Sequence, residues 1–251
     1  MRLDGISHVH STHSGDGKLK IGEIAKLAGK KGLGFALLTE HAEKITPEVY
    51  RGLVEECSNT TTPLFHIIPG LEFAYDDYVH LLGIGLFEHP GVNPLKKQIR
   101  EIHSLGGLAV LAHPNACQKV PYSELGGLDG VEAWNTRYLA RYAPQAGALK
   151  ILSQIREQEG RNILCFGGID LHETRDFSHL TMSVELEQNT SAGVINALKS
   201  GDFYIRNGLF RLGALETPSA LKKTAFAAVN GIYELARQTL IKVNYGSKTN
   251  L

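Results

Sequence analysis

Short apolar runs that alternate with helical patterns leave this chain few folds to adopt. The runs cover residues 5–9, 34–38, 65–68, 79–85, 108–112, 130–134 and 163–167, each of a length suited to a buried strand. Between most of them apolar residues recur at helical spacing. Ile21, Ile24, Ala25 and Ala28 share one face, and Val49, Leu53 and Val54 share another behind Pro47 at a first helical turn. Leu95, Ile99 and Ile102 form a third face that stops at Gly106-Gly107, and residues 148–158 read as a fourth helix. Strands and helices in alternation specify an α/β fold with a mostly parallel sheet, open or closed into a barrel. One stretch departs from this. The apolar runs on either side of Tyr75-Asp76-Asp77-Tyr78 leave no room for a helix and predict an antiparallel hairpin, with Asp76 and Asp77 in a solvated turn.

The C-terminal stretch 218–243 carries Leu221, Ala225, Ala228, Val229, Ile232, Leu235, Ala236 and Leu240 at helical spacing. It predicts a helix packed through that face, with Lys222, Lys223, Arg237 and Lys242 in solvent. A length of 251 residues fits one α/β domain with a small appendage, and the expected division is a domain over 1–212 and a packed helical extension over 213–251.

Composition narrows the function classes. Lys and Arg number 26 against 26 Asp and Glu, so the formal charge is zero. A protein that clamps long nucleic acids needs a basic surplus, so no stable nucleic-acid partner is expected; a small phosphorylated substrate remains open. Cys57, Cys117 and Cys165 are odd in number and widely spaced, which gives neither a disulfide framework nor a Cys-x-x-Cys metal pattern. No apolar signal core and no uncharged stretch of about 18 residues is present, so the expectation is a cytoplasmic protein with no membrane partner.

Position, more than number, makes the histidines informative. His8 and His10 follow the first run, His41 the second and Glu72 the third. His80 lies within the next run, His113 follows another, and Asp170 with His172 follow the last. In parallel α/β architectures the C-terminal ends of the strands meet at one face, which carries the active site. His-x-His on an extended segment turns both imidazoles to one side, because side chains alternate with period two. Imidazole and carboxylate without thiolate suit zinc, manganese or iron. A carboxylate such as Glu72 can bridge two cations. Gathering so many titratable groups at one face without compensating charge would be costly, which points to a multinuclear metal site.

With these residues in view, the sequence resembles the polymerase-and-histidinol-phosphatase (PHP) family of metal-dependent phosphoesterases. The likeness is carried by His8-Val9-His10-Ser11-Thr12-His13-Ser14, Leu38-Thr39-Glu40-His41, Ile68-Pro69-Gly70-Leu71-Glu72, His80-Leu81-Leu82-Gly83, Ala112-His113-Pro114 and Gly168-Ile169-Asp170-Leu171-His172. These occur in the family's order over roughly residues 4–180. The resemblance implies a distorted (β/α)7 barrel with two to three divalent ions (Zn, Mn or Fe) at the strand ends. It places one ion on His8, His10, Glu72 and Asp170, and a second on Glu72, His80 and His113. A third would take His41 and His172 with a residue of the first motif. Many relatives have an aspartate where this chain has Gly15, and others have a ligand at the position of Asp16; Asp16 is the choice, with His13 as the alternative. Relatives usually have aspartate at the position of Glu40, which is expected to orient a ligand without binding metal.

The implied activity is hydrolysis of a small phosphomonoester or nucleotide by a metal-activated hydroxide, with Glu72 and Asp170 at its heart. Paired cations make hydroxide available at neutral pH and neutralise phosphoryl oxygens. A guanidinium fork suits the remaining oxygens, and Arg137 is the first candidate, followed by Lys18 and Arg175. His13 and His179 are candidates for protonating the leaving group. His66, His89 and His103 read as structural. Trp134 and Tyr138 are expected to pack, with the substrate mouth as their alternative place. Two other readings stay open: an amidohydrolase that cleaves C–N bonds, and a metal-bound module without catalysis.

Overall fold

The computed structural model describes residues 1–75, 79–114, 121–138 and 140–246. Cys117 and the turn residues Asp76 and Asp77 lie outside them, as do the side chains of Leu240 and Lys242.

The strands and helices follow the apolar runs. Of the strands β1 (Arg2–Val9), β2 (Phe35–Leu38), β3 (Glu40–His41), β4 (His66–Ile68), β5 (Gly70–Ala74), β6 (His80–Ile84), β7 (Leu108–Ala112), β8 (Gly130–Asn135) and β9 (Leu164–Gly168), β3 and β5 lie just beyond the second and third predicted runs and the others occupy the runs themselves. The helices between them are α1 (Ile21–Gly29), α2 (Pro47–Thr60), α3 (Leu95–Ser104) and α4 (Ala146–Glu159). After β9 come β10 (Thr181–Glu185), α5 (Ser191–Ser200), β11 (Phe203–Arg206), β12 (Arg211–Gly213) and α6 (Ala220–Gly246). Helix α2 starts as expected, with Pro47 in its first turn and the Thr46 hydroxyl accepting from the Val49 amide at 3.4 Å. Its buried face, however, is Tyr50, Leu53 and Cys57, and Val49 is exposed. The aromatic ring, not the β-branched neighbour, fills the space over the sheet.

The strands form two six-stranded sheets, ordered β12-β11-β10-β1-β2-β4 and β3-β5-β6-β7-β8-β9. They are not closed into one ring. Two seams relate them. Strands β2 and β4 run on, after one residue each, into β3 and β5 of the other sheet. At the opposite side the segment after β9 hydrogen-bonds to β1: the Ile169 amide donates to Ser7 O at 3.0 Å and the Leu171 amide to His8 O at 3.0 Å. The sheets are mixed, not mostly parallel. Strand β6 is antiparallel to both β5 and β7, which is the predicted hairpin and its continuation. Strands β10, β11 and β12 add an antiparallel edge beside β1.

Helix α6 departs from the expected packing. Phe226 is buried against the ring of Phe210, and Asn230 donates to the carbonyls of Ala143 and Pro144. Leu221, Ile232 and Leu235 are 82%, 70% and 68% exposed. The helix carries two apolar stripes, and it docks through the one that holds the aromatic Phe226, which buries more area than an aliphatic residue. Among the described residues no helix is long and apolar enough to cross a membrane.

Candidate metal centre

The fold carries the predicted residues to one place. His8 and His10 lie at the end of β1, His41 at the end of β3, Glu72 in β5, and His113 just beyond β7. Asp170 and His172 follow β9. His80 reaches the same face from the start of its strand, because β6 runs antiparallel to its neighbours.

Glu72 is the hub. Its Oε2 lies 3.4 Å from His8 Nε2, 3.3 Å from His10 Nε2 and 3.3 Å from His41 Nδ1. Its Oε1 lies 2.7 Å from His80 Nδ1 and 3.3 Å from His113 Nε2. Asp170 Oδ1 is 3.6 Å from His8 Nε2, 3.5 Å from His10 Nε2 and 3.4 Å from His172 Nδ1. At the outer edge Asp16 Oδ2 stands 3.2 Å from both His41 Nε2 and His172 Nε2. His8, His10, Glu72, Asp170 and His172 are buried.

The donor set fits divalent ions. His8 Nε2 and His10 Nε2 are buried and have no hydrogen-bond partner. They face the carboxylate oxygens at the spacing of atoms arranged around a common point: ligands about 2.1 Å from one ion in a tetrahedron lie about 3.4 Å apart. The far sides of these rings are committed. His8 Nδ1 lies 3.1 Å from Glu132 Oε1, so its proton goes to that carboxylate. The Ser14 hydroxyl donates to Glu40, which leaves Ser14 Oγ to accept from His10 Nδ1 at 3.1 Å and from the His41 amide at 3.0 Å. His172 Nδ1 donates to the Asp170 carbonyl at 3.1 Å. In all three rings Nε2 is thereby left as a free acceptor facing the centre, the arrangement by which outer partners aim metal-binding histidines. Among the described residues four groups have ligand atoms mutually within 4.8 Å: His8 with His10 and Glu72; Glu72 with His80 and His113; His10 with His41 and His172; and His8 with His113 and Asp170.

Without metal the cluster stores protons. Burial alone would lower the His8 pKa, but the charges of Glu132, Asp170 and Glu72 outweigh it and hold the group well above its usual range. His10 is likewise pulled down by burial and pushed up to about 9 by Asp170 and Glu72. Burial would raise Glu72 and Asp170, yet the surrounding imidazoles keep both below the ordinary carboxylate range. His172 runs the other way, lowered by burial and by His10.

The backbone is strained here. Among the described residues the non-glycine positions with positive φ are His8 (60°), His113 (27°) and Asp170 (50°), all members of the cluster. His8 therefore does not sit in plain extended backbone. A register shift between Ile6 and Val9 turns its ring toward that of His10, with centroids 5.1 Å apart.

The other predicted residues are spread more widely. Arg137 is at the rim: Nη1 donates to Asp176 at 3.0 Å and to the Asp170 carbonyl at 3.3 Å, and Nε is 3.9 Å from Asp170 Oδ2. Lys18 and Arg175 both pair with Glu173, at 3.2 and 2.5 Å. His13 turns away, 2.9 Å from Glu56 on α2. His179 is exposed. His66 is bonded to Asn189, and His103 pairs with Asp129 at the end of α3. Trp134 is fully buried and donates to Ala140 O, which removes it from any substrate mouth. The ring of the half-exposed Tyr138 lies 4.8 Å from that of His113. Sequence reasoning missed Glu132, although a glutamate inside the apolar run 130–134 is itself a signal, since a buried carboxylate requires partners.

No family model and no curated protein matches the chain. Solved structures do. A two-domain protein of Bacteroides vulgatus containing a predicted PHP-like metal-dependent phosphoesterase aligns at TM-score 0.62 and 19% identity, over 85% of this chain and 67% of that one. The chain has the PHP-like fold. A lesion-specific endonuclease of Pyrococcus furiosus shares this PHP-like fold at TM-score 0.58 and 17% identity, over 85% of this chain and 59% of that one. The protein PsfC of Pseudomonas syringae aligns at TM-score 0.56 and 18% identity, over 95% and 99%.

Proposed function

We propose that the chain is a PHP-family phosphoric ester hydrolase that works with two to three divalent ions. The observation that carries this is the pair of buried, unpartnered Nε2 atoms of His8 and His10 facing Glu72 and Asp170. One ion would be held by His8, His10, Glu72 and Asp170. A second would share Glu72 and add His80 and His113. A third would take Asp16, His41 and His172. The spacing of Asp16 from both histidines supports it over His13. When bound, such ions supply hydroxide at neutral pH and neutralise phosphoryl oxygens. The seams between the two sheets support reading them as a distorted seven-stranded barrel, with 213–251 as its helical extension.

The chain's own residues do the rest. Glu72 and Asp170 hold negative charge against the imidazoles. Arg137, fixed by Asp176, presents its guanidinium beside Asp170 and orients a phosphoryl group. Lys18 and Arg175 share one compensating carboxylate and so add less. The zero net charge favours a small phosphomonoester or nucleotide over a long nucleic acid.

The test is elemental analysis of protein purified without chelator, with hydrolysis of an aryl phosphate measured with manganese and with chelator. Two to three ions per chain and chelator-sensitive hydrolysis are expected. Metal with cleavage of amides alone would replace this reading by the amidohydrolase one, metal with no hydrolysis by the non-catalytic module. Cleavage of lesion-containing DNA but not of monoesters would move the substrate to that of the endonuclease neighbour.

A further inference from the structure

Behind the ligands, Glu132 does more than fill a strand. It lies in β8, it is 1% exposed, and both its oxygens are engaged. His8 Nδ1 donates to the carboxylate, 3.1 Å from Oε1 and 3.3 Å from Oε2. Oε2 accepts the His113 amide at 2.8 Å and Asn135 Nδ2 at 2.9 Å. A third strand end closes over it: a Cβ at Gly168, two residues before Asp170, would stand 1.7 Å from Oε1. One carboxylate thus touches β1, β7 and β9 beside three non-glycine residues whose φ is positive, His8, His113 and Asp170.

We propose that Glu132 is a positioning residue that sets the tautomer of His8 and fixes the strand ends carrying His8, His113 and Asp170 in ligating geometry. This role rests on the metal reading given above. The chemistry is one of proton placement. A carboxylate only accepts, so His8 carries its proton on Nδ1 and offers Nε2 as a lone pair. A glutamine of the same shape behaves differently. Its carbonyl oxygen is needed at the Oε2 position, where it meets two N–H donors, the His113 amide and Asn135. Its NH2 then faces His8 Nδ1. The carbonyl oxygen keeps its place 3.3 Å from Nδ1, but the nearer neighbour of that nitrogen, at 3.1 Å, becomes an N–H, and the ring accepts it by moving its proton to Nε2, where it blocks a ligand position. Gly168 leaves no room for the amide to turn aside.

The experiment compares wild type with Glu132→Gln by zinc competition against a chromophoric chelator at pH 7.5, by melting of the metal-free proteins, and by 15N-histidine NMR. We expect Glu132→Gln to melt within a few degrees of wild type when metal-free and to bind zinc about 10–100-fold more weakly. In zinc-loaded wild type the His8 proton resides on Nδ1, slowed in exchange and shifted downfield by the carboxylate. A merely structural role would lower the melting temperature and leave the zinc affinity of the folded fraction unchanged, and that result overturns the proposal. So does a wild-type spectrum with the His8 proton on Nε2, a measurement that holds even if the variant does not fold. A wild type that binds no zinc overturns the metal reading and this role with it. A wild type that binds zinc, with a variant that binds it equally, overturns the role of Glu132 alone.

Discussion

Stripping the metal while varying pH exposes the electrostatics of the centre directly. With no ion present, His10 sits between Glu72 and Asp170 with a pKa of about 9, against about 6.5 in the unfolded chain. A group whose folded pKa is raised stabilises the fold fully below its unfolded pKa and loses that stabilisation as pH rises through the folded one. The shift corresponds to about 3 kcal/mol, of which about 2.5 kcal/mol disappears between pH 5.5 and pH 8.5. Glu72 and Asp170, held low by the imidazoles, act at the other end: they stabilise above about pH 4 and lose their effect as pH falls through their depressed values. The stabilisation from these three groups is therefore fullest between about pH 4 and pH 6.5. His172 opposes the trend, since its lowered pKa favours the fold as pH rises, so the clean quantity is a difference. Urea denaturation of chelator-treated wild type and of His10→Asn at the two pH values supplies it. Wild type loses about 2.5 kcal/mol more than the variant across this window, a shift of about 1 M in midpoint. Parallel profiles for the two proteins would refute the charge assignment at His10. Metal-loaded protein should show the opposite slope, because ions displace those protons and bind more tightly as pH rises.

Three further outcomes are expected. Asp16→Ala lowers the bound metal by about one ion per chain by elemental analysis, whereas His13→Ala, whose ring is bonded to Glu56, leaves the count unchanged. Gly168→Ala drives a methyl group into Glu132 Oε1 and to 2.7 Å from His8 Cβ, so chemical denaturation should show a loss of about 1–3 kcal/mol together with weaker metal binding. If Arg137 orients a phosphoryl group as proposed, steady-state kinetics of Arg137→Ala on an aryl phosphate should show kcat/KM reduced about 10–100-fold with metal content intact.

Much of the centre was legible because its ligand types sit at the ends of apolar runs, and the topology of α/β sheets brings such ends together. His80 is the instructive case. It lies at the start of its strand, and the hairpin predicted around residues 75–78 is what reverses β6 and delivers it to the same face. The antiparallel strands β10, β11 and β12 were missed because runs of three to five residues carry little period-two signal. On α6 the pattern was read correctly as helix, but two apolar stripes compete on it. Spacing cannot say which one docks, and the aromatic Phe226 decides.

The backbone of the centre was illegible for a deeper reason. His8, His113 and Asp170 adopt conformations that L-residues avoid, each costing on the order of 1–3 kcal/mol. No local propensity predicts a histidine or aspartate there, and a sequence with glycine at these positions would fold with less strain. The strain persists because surrounding contacts over-determine it. The Leu171 amide pins the His8 carbonyl, and the His113 amide is tied to Glu132. Glycine would supply the turn without a ligand, so the conflict between backbone preference and residue type is resolved in favour of the side chain at all three positions. Such a resolution is expected where ligand geometry, more than stability, dictates the residue.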